Sequence, residues 1–582
     1  MINITLANFI SSGNTSDDGA IKNLGDDLFM SGVTIKGSSP QKGGSNPVKP
    51  ALIWNRGNNF IIKDSFIDNP GTFAGPARTI YNTGDYLTVD NLTLINPNRY
   101  GVDNFGNYFT LKNSYFINTI PNATSSMVCC PVQTQNGNHI LIINSSFSNF
   151  PCCPVALEGT NITVSDSIFL NNTESISNGA SNLTIKNSYF EYNRGAAITN
   201  DGGNNILIIN NTFKNCEDSV INNAPSANNS HPGINITVKD SSFENSMRAI
   251  KNAGENFTVI NSNFTNNNGD FGAAIYNTGK NLIVDNSIFK NNKADNGGAI
   301  CQDNGTITIK NSKFINNIAS NGGAILSEHG NLSIFDSQFE KNTAIDIGGT
   351  ISLYGDSLTV TNSNFTNNKV FKDTEIHVFG GSLLENKNSY DSHLKIIKIA
   401  QIGEKIIVQV KVTGNANGSI LPNQNIILTI GGKTLNAKTN SKGVAEFKYT
   451  PLKSGNLKAN IQLKNGSVGS LIFKGSTASS SVKFVKPAPN FKQVNKIEIT
   501  KKGKNYIVKV QWKNIGTKKG IKKITIDLKK YKSLKKYKFA KGNYNHGKKI
   551  SLKNEKLIIS FDLPIYKSKK DLGIATITLK KI

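Results

Sequence analysis

The sequence predicts an all-β protein in which a long parallel β-helix is followed by two smaller β modules. Three observations support this prediction. A short strand-forming segment recurs at intervals of 21 to 31 residues through most of residues 1–393. Asn, Gly, Thr and Ser interrupt these segments so often that helices are not expected. Beyond residue 393 the repeat stops, and strands with alternating apolar and polar residues follow.

The repeat has the form N-L-T-I-x-N-S-x-F-x-x-N, as in NLTIKNSYFEYN from Asn182, and a second segment such as GGAI at Gly297–Ile300 lies between copies. Each unit thus holds three short β segments and cannot bury its own apolar face, so the units must stack. A parallel β-helix of about fifteen rungs satisfies this requirement. One large apolar anchor per rung is predicted at Leu94, Phe116, Phe147, Phe169, Phe190, Phe213, Phe243, Phe264, Phe289, Phe314, Phe339 and Phe365.

An Asn or Asp lies three residues before every one of these anchors. A turn between two strands needs a residue that tolerates the left-handed region, and Asn and Asp do so at low cost. Stacked amides can also bond one another in a ladder. We interpret the column as turn architecture at Asn91, Asn113, Asn144, Asp166, Asn187, Asn210, Asp240, Asn261, Asn286, Asn311, Asp336 and Asn362.

Charge is distributed unevenly along the chain. Residues 485–582 contain 28 Lys, no Arg and 5 acidic residues, a net charge of +23, whereas residues 1–384 carry −7. The lysine excess indicates either an anionic partner for this tail or only the compositional bias of a chain rich in Asn, Ile and Lys. Nucleic acid is not expected, because no Arg is present for bidentate contacts and no nucleic-acid-binding motif is found. No stretch is apolar enough for a membrane helix.

Several of these features resemble a known class of proteins. The paired GGAI and FxxN signals, such as Phe264–Asn267, resemble repeats of polymorphic outer-membrane-type adhesins. The Asn-, Lys- and Ile-rich composition with the tail modules resembles adhesin-like surface proteins of methanogenic archaea. Residues 439–461 resemble the bacterial immunoglobulin-like (Ig-like) modules of invasin-type proteins. This resemblance implies a right-handed, pectin-lyase-like β-helix at 1–393, an Ig-like sandwich at 394–484 and a second, lysine-rich sandwich at 485–582.

Enzymes and adhesins share this fold, so paired carboxylates need consideration. Asp303 and Glu328 each follow a GGAI isoleucine by three residues, which places them about 5 Å apart on adjacent rungs. This is near the spacing of a retaining glycosidase pair. Because Thr278 and Tyr354 occupy the same position in the neighbouring rungs, no wider acidic cleft is expected. We interpret the pair as solvated surface acids, with catalysis as the alternative.

Metal sites receive little support from the sequence. Asp270, Asp295 and Asp346 form a stripe five residues before the isoleucines, where carboxylates could hold Ca²⁺. Ser320 interrupts this stripe, so calcium is an alternative and no cofactor is the main expectation. The six His residues show no H-x-H or H-x-x-x-H spacing, which does not favour zinc.

Two cysteine pairs lie nearly one rung apart. Cys129 and Cys130 precede Cys152 and Cys153 by 23 residues, which would stack each on its counterpart. The rung spacing suits the Cα separation of a disulfide. Disulfides between rungs, reduced stacks and a soft-metal site all remain open.

These features together favour a non-enzymatic cell-surface adhesin. Its rod would bind glycans or a partner cell, and its basic tail would bind an anionic envelope polymer. A polysaccharide lyase or glycoside hydrolase on the same scaffold is one alternative, and a passive structural stalk is another. An extracellular location requires export, yet the N-terminus lacks signal-peptide features, so we expect the chain to be truncated at its start.

Overall fold

The computed structural model describes most of the chain, in the following ranges: 5–7, 10–11, 21–36, 39–40, 51–68, 78–97, 100–120, 123, 130–224, 231–346, 348–370, 375–414, 420–469, 471–486, 493–514, 520–530, 537–545, 547–563 and 573–581. These residues form β-strands joined by turns, with a single 3₁₀ turn at Leu528–Lys530. None of the described residues forms a helix that is long and apolar enough to cross a membrane. The predicted all-β class is confirmed.

The rod consists of stacked rungs that each contribute strands to three parallel sheets, named here sheets I, II and III. Sheet I contains the A-I segments, at Ile21–Asn23, Ala51–Asn55, Arg78–Asn82, Tyr100–Asn104, Cys130–Thr134, Val155–Leu157, Ile176–Asn178, Ile198–Asn200, Ile221–Asn223, Ile250–Asn252, Ile275–Asn277, Ile300–Gln302, Ile325–Ser327, Ile351–Leu353 and Ile376–Val378.

Sheets II and III follow sheet I in every rung. Sheet II contains the L-T-I segments, at Phe29–Ser31, Thr110–Lys112, Gly137–Ile143, Gly159–Ser165, Ser181–Lys186, Ile206–Ile209, Ile236–Lys239, Phe257–Ile260, Leu282–Asp285, Thr306–Lys310, Asn331–Phe335, Ser357–Thr361 and Ser382–Asn386. Sheet III contains the S-x-F segments, at Thr5–Ala7, Thr34–Lys36, Tyr115–Ile117, Ser146–Ser148, Ile168–Leu170, Tyr189–Glu191, Thr212–Lys214, Ser242–Glu244, Asn263–Thr265, Ile288–Lys290, Lys313–Ile315, Gln338–Glu340, Asn364–Thr366 and the start of Ser389–Ile402. The two sheets are continuous in Ile61–Asp68 and Thr88–Ile95.

Shorter strands add to the rod at its turns. Two of them, Ile10–Ser11 and Ser39–Pro40, pair near the N-terminus. Five others form a small parallel sheet, at Asn268–Phe271, Lys293–Asn296, Ile318–Ala319, Thr343–Ala344 and Lys369–Val370. Because consecutive rungs pair in parallel register across the described residues, the predicted parallel β-helix is confirmed.

The predicted anchors form one continuous stack inside the rod. Leu94 pairs with Phe116, and from Phe116 onward each anchor ring faces the next at a centroid separation of 4.7–5.0 Å. The last anchor, Phe365, stacks on Tyr390. All are buried. Offset-stacked rings stabilise such a core beyond the apolar area that they bury.

The Asn/Asp column behaves as predicted. All twelve residues have φ between 46° and 55°, in the left-handed region. Amides also bond between rungs, for example from Asn144 Nδ2 to Asn113 Oδ1 at 2.9 Å and from Asn210 Nδ2 to Asn187 Oδ1 at 2.9 Å. The column therefore positions the turn between sheets II and III.

The interior also contains polar columns that sequence analysis did not predict. One is an amide ladder at the end of the sheet I strands, where Asn200 Nδ2 donates to Asn223 Oδ1 and Asn223 Nδ2 donates to Asn252 Oδ1. The other is a row of serines, in which Ser262 N donates to Ser287 Oγ of the next rung. In these two columns the buried polar groups form hydrogen bonds with the neighbouring rung.

A β-hairpin lies against the last rung of the rod. Its strands are Gly466–Val468 and Leu471–Lys474, and the second pairs in parallel with Ser389–Asp391. Ser392 Oγ donates to Lys474 O at 2.6 Å. The hairpin thereby occupies hydrogen-bonding groups that would otherwise form an open sheet edge.

The chain forms two compact units, the first comprising Met1–Lys398, Val408–Phe447 and Asn460–Ser480 and the second comprising Ile399–Ile407, Lys448–Ala459 and Ser481–Ile582. The strands of the predicted Ig-like segment are Lys405–Gly414, Asn425–Ile430, Lys433–Lys438, Val444–Tyr449, Gly455–Leu463 and Ser476–Phe484. The predicted boundaries at residues 393 and 484 and the Ig-like identity stay predictions.

The described residues between 493 and 581 form two antiparallel sheets around one core. The first sheet contains Gln493–Lys502, Asn505–Asn514, Gly573–Lys581 and Tyr537–Tyr544, and the second contains Gly520–Asp527, Lys556–Leu563 and Gly547–Lys553. Val508, Val510 and Trp512 are buried, as the alternating pattern predicts, together with apolar residues of the second sheet. The C-terminal β-sandwich is therefore observed.

Truncating one anchor should strongly destabilise the rod. Phe264 is fully buried between two rings, so Phe264→Ala should lower the free energy of unfolding by about 3–5 kcal/mol. The matched control is Asn263→Ala, one residue earlier and exposed. Urea denaturation followed by fluorescence measures both variants. Equal midpoints for the two variants would contradict the stacked core.

Candidate functional site

The carboxylates of Asp303 and Glu328 lie side by side at the end of sheet I. Ile300 pairs with Ile325, and Glu328 N donates to Gln302 O at 2.8 Å, so the two acids occupy equivalent positions on adjacent rungs. One oxygen of each and a ring nitrogen of His329 all lie within 4.8 Å of one another. The predicted adjacency of the two acids is observed.

His329 completes this cluster. Its Nδ1 lies 3.0 Å from the backbone oxygen of Asp303 and 3.5 Å from the carboxylate. The side chains of His329 and Asp303 are 72% and 44% exposed. An ion pair with such exposure contributes little to stability, so the contact does not by itself explain the cluster.

Burial and the negative charges of these acids raise the pKa values of two side chains in sheet I, those of Cys301 and Tyr276. Cys301 follows the inward-facing Ile300 and is buried, and Tyr276 precedes it by one rung. Burial, together with the charges of Glu328 and Asp303, raises the pKa of the Cys301 thiol well above its usual value. Burial and the charge of Asp303 likewise raise the pKa of Tyr276. The guanidinium of Arg248, 5.6 Å from the Tyr276 ring, acts in the opposite direction.

Aromatic side chains flank the acids along the rod. On the N-terminal side, the rings of Phe271 and Tyr276 are 5.6 Å apart. On the C-terminal side, the Tyr354 ring lies 5.9 Å from His377 and 6.0 Å from Phe379. Phe271, Tyr354 and Phe379 are 38%, 38% and 66% exposed. The candidate face, as used below, comprises Arg248, Phe271, Tyr276, Asp303, Glu328, His329, Tyr354, His377 and Phe379.

The positions beside the acids match the sequence analysis. Thr278 and Tyr354 occupy the neighbouring rungs at the same position as Asp303 and Glu328. Among the described residues, the only cluster of three or more potential metal ligands is Asp303, Glu328 and His329. The spacing of His residues along the chain does not indicate this cluster, because its members come from two rungs. Whether the two acids act in catalysis stays an open prediction.

The predicted calcium stripe does form a column. Asp270 aligns with Asp295, Ser320 N donates to Asp295 O, and Asp346 N donates to Ser320 O. The three aspartates are exposed, and Ser320 separates Asp295 from Asp346. Calcium binding here stays a prediction.

One of the two predicted cysteine stacks is visible. The Sγ atoms of Cys130 and Cys153 lie 3.2 Å apart on adjacent rungs, and both residues are thiols in this structure. Cys129 falls outside the described residues, so the stack of Cys129 on Cys152 is not described. Disulfide formation stays a prediction.

A buried acid that sequence analysis overlooked lies near the C-terminal end of the rod. Glu375 is 2% exposed, and its Oε1 accepts hydrogen bonds from Thr350 Oγ1 at 2.9 Å and Asn368 Nδ2 at 2.5 Å. Burial raises the pKa of Glu375 to about 7, although these two hydrogen bonds act to lower it. Glu375 takes the position of alanines such as Ala324 in the repeat, and this departure is the signal that could have revealed it.

Comparison with known proteins gives only structural matches. No protein-family model and no characterised relative matches the chain. A variant of the tailspike of E. coli bacteriophage HK620 in complex with a pentasaccharide is 10% identical, with a TM-score of 0.37 over 82% of this chain and 84% of that chain. Tailspike gp49 of Acinetobacter baumannii bacteriophage Fri1, a capsular polysaccharide depolymerase, is 9% identical, with a TM-score of 0.22 over 96% and 77%. The A-module of mannuronan C-5 epimerase from Azotobacter vinelandii is 11% identical, with a TM-score of 0.21 over 65% and 87%. These likenesses concern the fold alone.

Glu375 should make the stability of the rod depend on pH. Its pKa is raised in the folded state, so its contribution is fully present below about pH 4.5 and is lost as the pH rises through about 7. We expect Glu375→Gln to be more stable than the parent at pH 8, by at most about 3 kcal/mol, and to lose this advantage near pH 4.5. Thermal unfolding of both proteins between pH 4 and 8 measures the difference. A difference that is constant over this range would contradict the burial of an ionisable Glu375.

Proposed function

We propose that the protein is an extracellular surface protein whose rod binds a polysaccharide along the candidate face. The observation that carries the proposal is the arrangement of paired acids and a histidine with aromatic rings on both sides along the rod. Tyr276 lies one rung before Asp303, and Tyr354 lies one rung after Glu328.

Sugars present both apolar C–H faces and hydroxyl groups. Aromatic rings such as Tyr354 and Phe379 supply the apolar contact, and the carboxylates of Asp303 and Glu328 accept hydrogen bonds from hydroxyls. Aromatic side chains with a few convergent polar groups are typical of ligand sites. Because the rungs repeat along the axis, several sugar units of one chain could bind at once, which strengthens weak individual contacts.

We favour binding without cleavage. A carboxylic acid that protonates a leaving group near neutral pH requires surroundings that favour its neutral form, usually an apolar pocket. Asp303 is 44% exposed and lies beside a histidine that is 72% exposed. Such solvated acids suit hydrogen bonding to a ligand better than proton transfer.

Glycoside hydrolysis is the second candidate, because the separation of Asp303 and Glu328 is close to that of a retaining pair. A passive stalk is the third, and it differs from the proposal in having no ligand. The tail adds a further part to the proposal: its net charge of +23 would hold the protein on an anionic envelope polymer.

Removing the aromatic rings should weaken glycan binding. We expect Tyr354→Ala combined with Phe379→Ala to reduce affinity by about tenfold, because each ring supplies part of the apolar contact. Affinity electrophoresis against an array of soluble neutral and acidic polysaccharides measures the change. Tyr115→Ala is the matched control, since Tyr115 is 54% exposed but lies in sheet III. Retention of the parent by no polysaccharide would overturn the proposal.

Removing the two acids distinguishes binding from hydrolysis. We expect the parent to release no new reducing ends or unsaturated products from any polysaccharide that it binds. Asp303→Asn combined with Glu328→Gln should then change only affinity, because both amides still form hydrogen bonds. Product release by the parent that this double variant abolishes would instead support the hydrolase or lyase.

Salt and lysine removal should release the protein from anionic surfaces. The Debye length shortens from about 8 Å at 0.15 M to about 3 Å at 1 M salt, so sedimentation with a teichoic-acid-type polymer should fall steeply over this range. Lys501→Gln, Lys502→Gln and Lys504→Gln together should weaken it further, since all three are exposed. The same changes at Lys290, Lys310 and Lys313 of the rod are the control. Equal effects of the two triple variants would refute anchoring by the tail.

A further inference from the structure

Three aromatic side chains form an exposed stack on consecutive rungs of the rod, far along the chain from the candidate face. The rings of Tyr86 and Tyr108 lie 4.6 Å apart with an interplanar angle of 5°, and those of Tyr108 and His139 lie 5.0 Å apart at 13°. Tyr86 is 51% exposed and Tyr108 is 43% exposed, and His139 is also exposed. The aromatic stack, as used below, means these three residues.

The aromatic stack interrupts a column of asparagines. The column lies at the start of the sheet II strands or just before it. Asn59 comes before the stack, and Asn161, Asn182, Asn205, Asn235 and Asn256 follow it. The later asparagines form an amide ladder, for example from Asn205 Nδ2 to Asn182 Oδ1 at 3.2 Å. The three aromatic residues therefore replace the residue type that this turn favours.

This replacement is conformationally unfavourable. The φ angles are 62° at Tyr86, 56° at Tyr108 and 60° at His139, in the left-handed region that bulky side chains rarely adopt. Asn is accommodated there at lower cost and also adds a ladder bond. Left-handed outliers of this kind persist where the surrounding structure enforces them, and they concentrate at ligand sites. Three in succession, all exposed, are not explained by packing of the rod.

We infer that the aromatic stack is a second polysaccharide-binding site, specific for neutral glycans. The inference rests on the proposed function and assigns it a further site and a ligand class. The rings lie face to face along the rod, so their edges and polar groups face solvent at intervals of one rung. Two phenols and an imidazole thereby form a row of hydrogen-bonding groups set in apolar edges, which matches the alternating hydroxyl and C–H surface of an extended sugar chain.

Charge favours a neutral ligand over an anionic one. Residues 1–384 carry a net charge of −7, and Asp85 lies directly beside Tyr86 in the chain. The carboxylate of Asp85 accepts a hydrogen bond from Asn107 N at 2.8 Å, which holds the acid at this turn. A polyanion such as nucleic acid or an acidic polysaccharide would meet like charge there.

The decisive variant restores the asparagine column, with Tyr86→Asn, Tyr108→Asn and His139→Asn together in the full chain. We expect affinity for xylan, glucomannan or dextran to fall at least about tenfold, as expected for loss of aromatic contacts. The melting temperature should stay equal or rise, because Asn suits the left-handed turn. The matched control is Tyr115→Asn, which removes an exposed tyrosine from a strand in the same part of the rod and should leave affinity unchanged.

The outcomes separate this inference from the proposed function. Unchanged affinity of the triple variant for a neutral glycan that the parent binds would overturn the inference and leave the proposed function intact. A lower melting temperature of the triple variant would also overturn it, since the rings would then be structural. Binding of the parent to alginate or polygalacturonate alone would overturn the inference only, and binding to no glycan would overturn both.

Discussion

Parallel hydrogen bonding between consecutive rungs is the constraint on which the rest of the structure depends. It places residues of equivalent position directly over one another, as Phe213 lies over Phe190 and under Phe243. A shift of one residue in any strand would turn its buried side chains outward, so the register is strongly specified. The longer intervals of the repeat do not disturb it, because Phe116 still pairs with Phe147 across 31 residues. Insertions are therefore confined to turns.

The same constraint explains how a rod with a polar interior is stable. A buried amide in one rung forms a hydrogen bond with the equivalent amide of the next rung. An amide of such a ladder therefore lacks this partner where the ladder ends. The interior ladder ends at Gln302, whose Oε1 is buried without a partner among the described residues, as is Ser327 Oγ on the next rung. Asp303 and Glu328 directly follow these two residues. The candidate face thus lies beside buried polar atoms that lack hydrogen-bond partners, and such local departures from regular packing are common at functional sites.

Much of the fold could be predicted from the sequence because each rung repeats the same information. Anchors, the left-handed asparagines and the adjacency of Asp303 and Glu328 all follow from alignment of one repeat on another. The hairpin at Leu471–Lys474 could not be predicted, since it pairs with Ser389–Asp391 across some 80 residues without a local signal. Glu375 and Phe379 could not be predicted for a related reason. Repeat alignment identifies what is shared, and these residues are exceptions.

Residues that depart from the type shared by their column differ in the free energy that the departure costs. The size of this cost indicates how each departure should be interpreted. An outward position in a strand, such as that of Tyr276, accepts almost any side chain, so its identity alone carries little information. At a left-handed turn an aromatic residue is conformationally unfavourable, and at a buried position a carboxylate is desolvated. Tyr108 and Glu375 are such residues, the first exposed and stacked on its neighbours, the second buried against Asn368. A row of unfavourable residues that faces solvent is not explained by packing and suggests a ligand, whereas a buried one can be explained by the packing around it. This difference is why the aromatic stack, rather than the buried acid, points to a binding site.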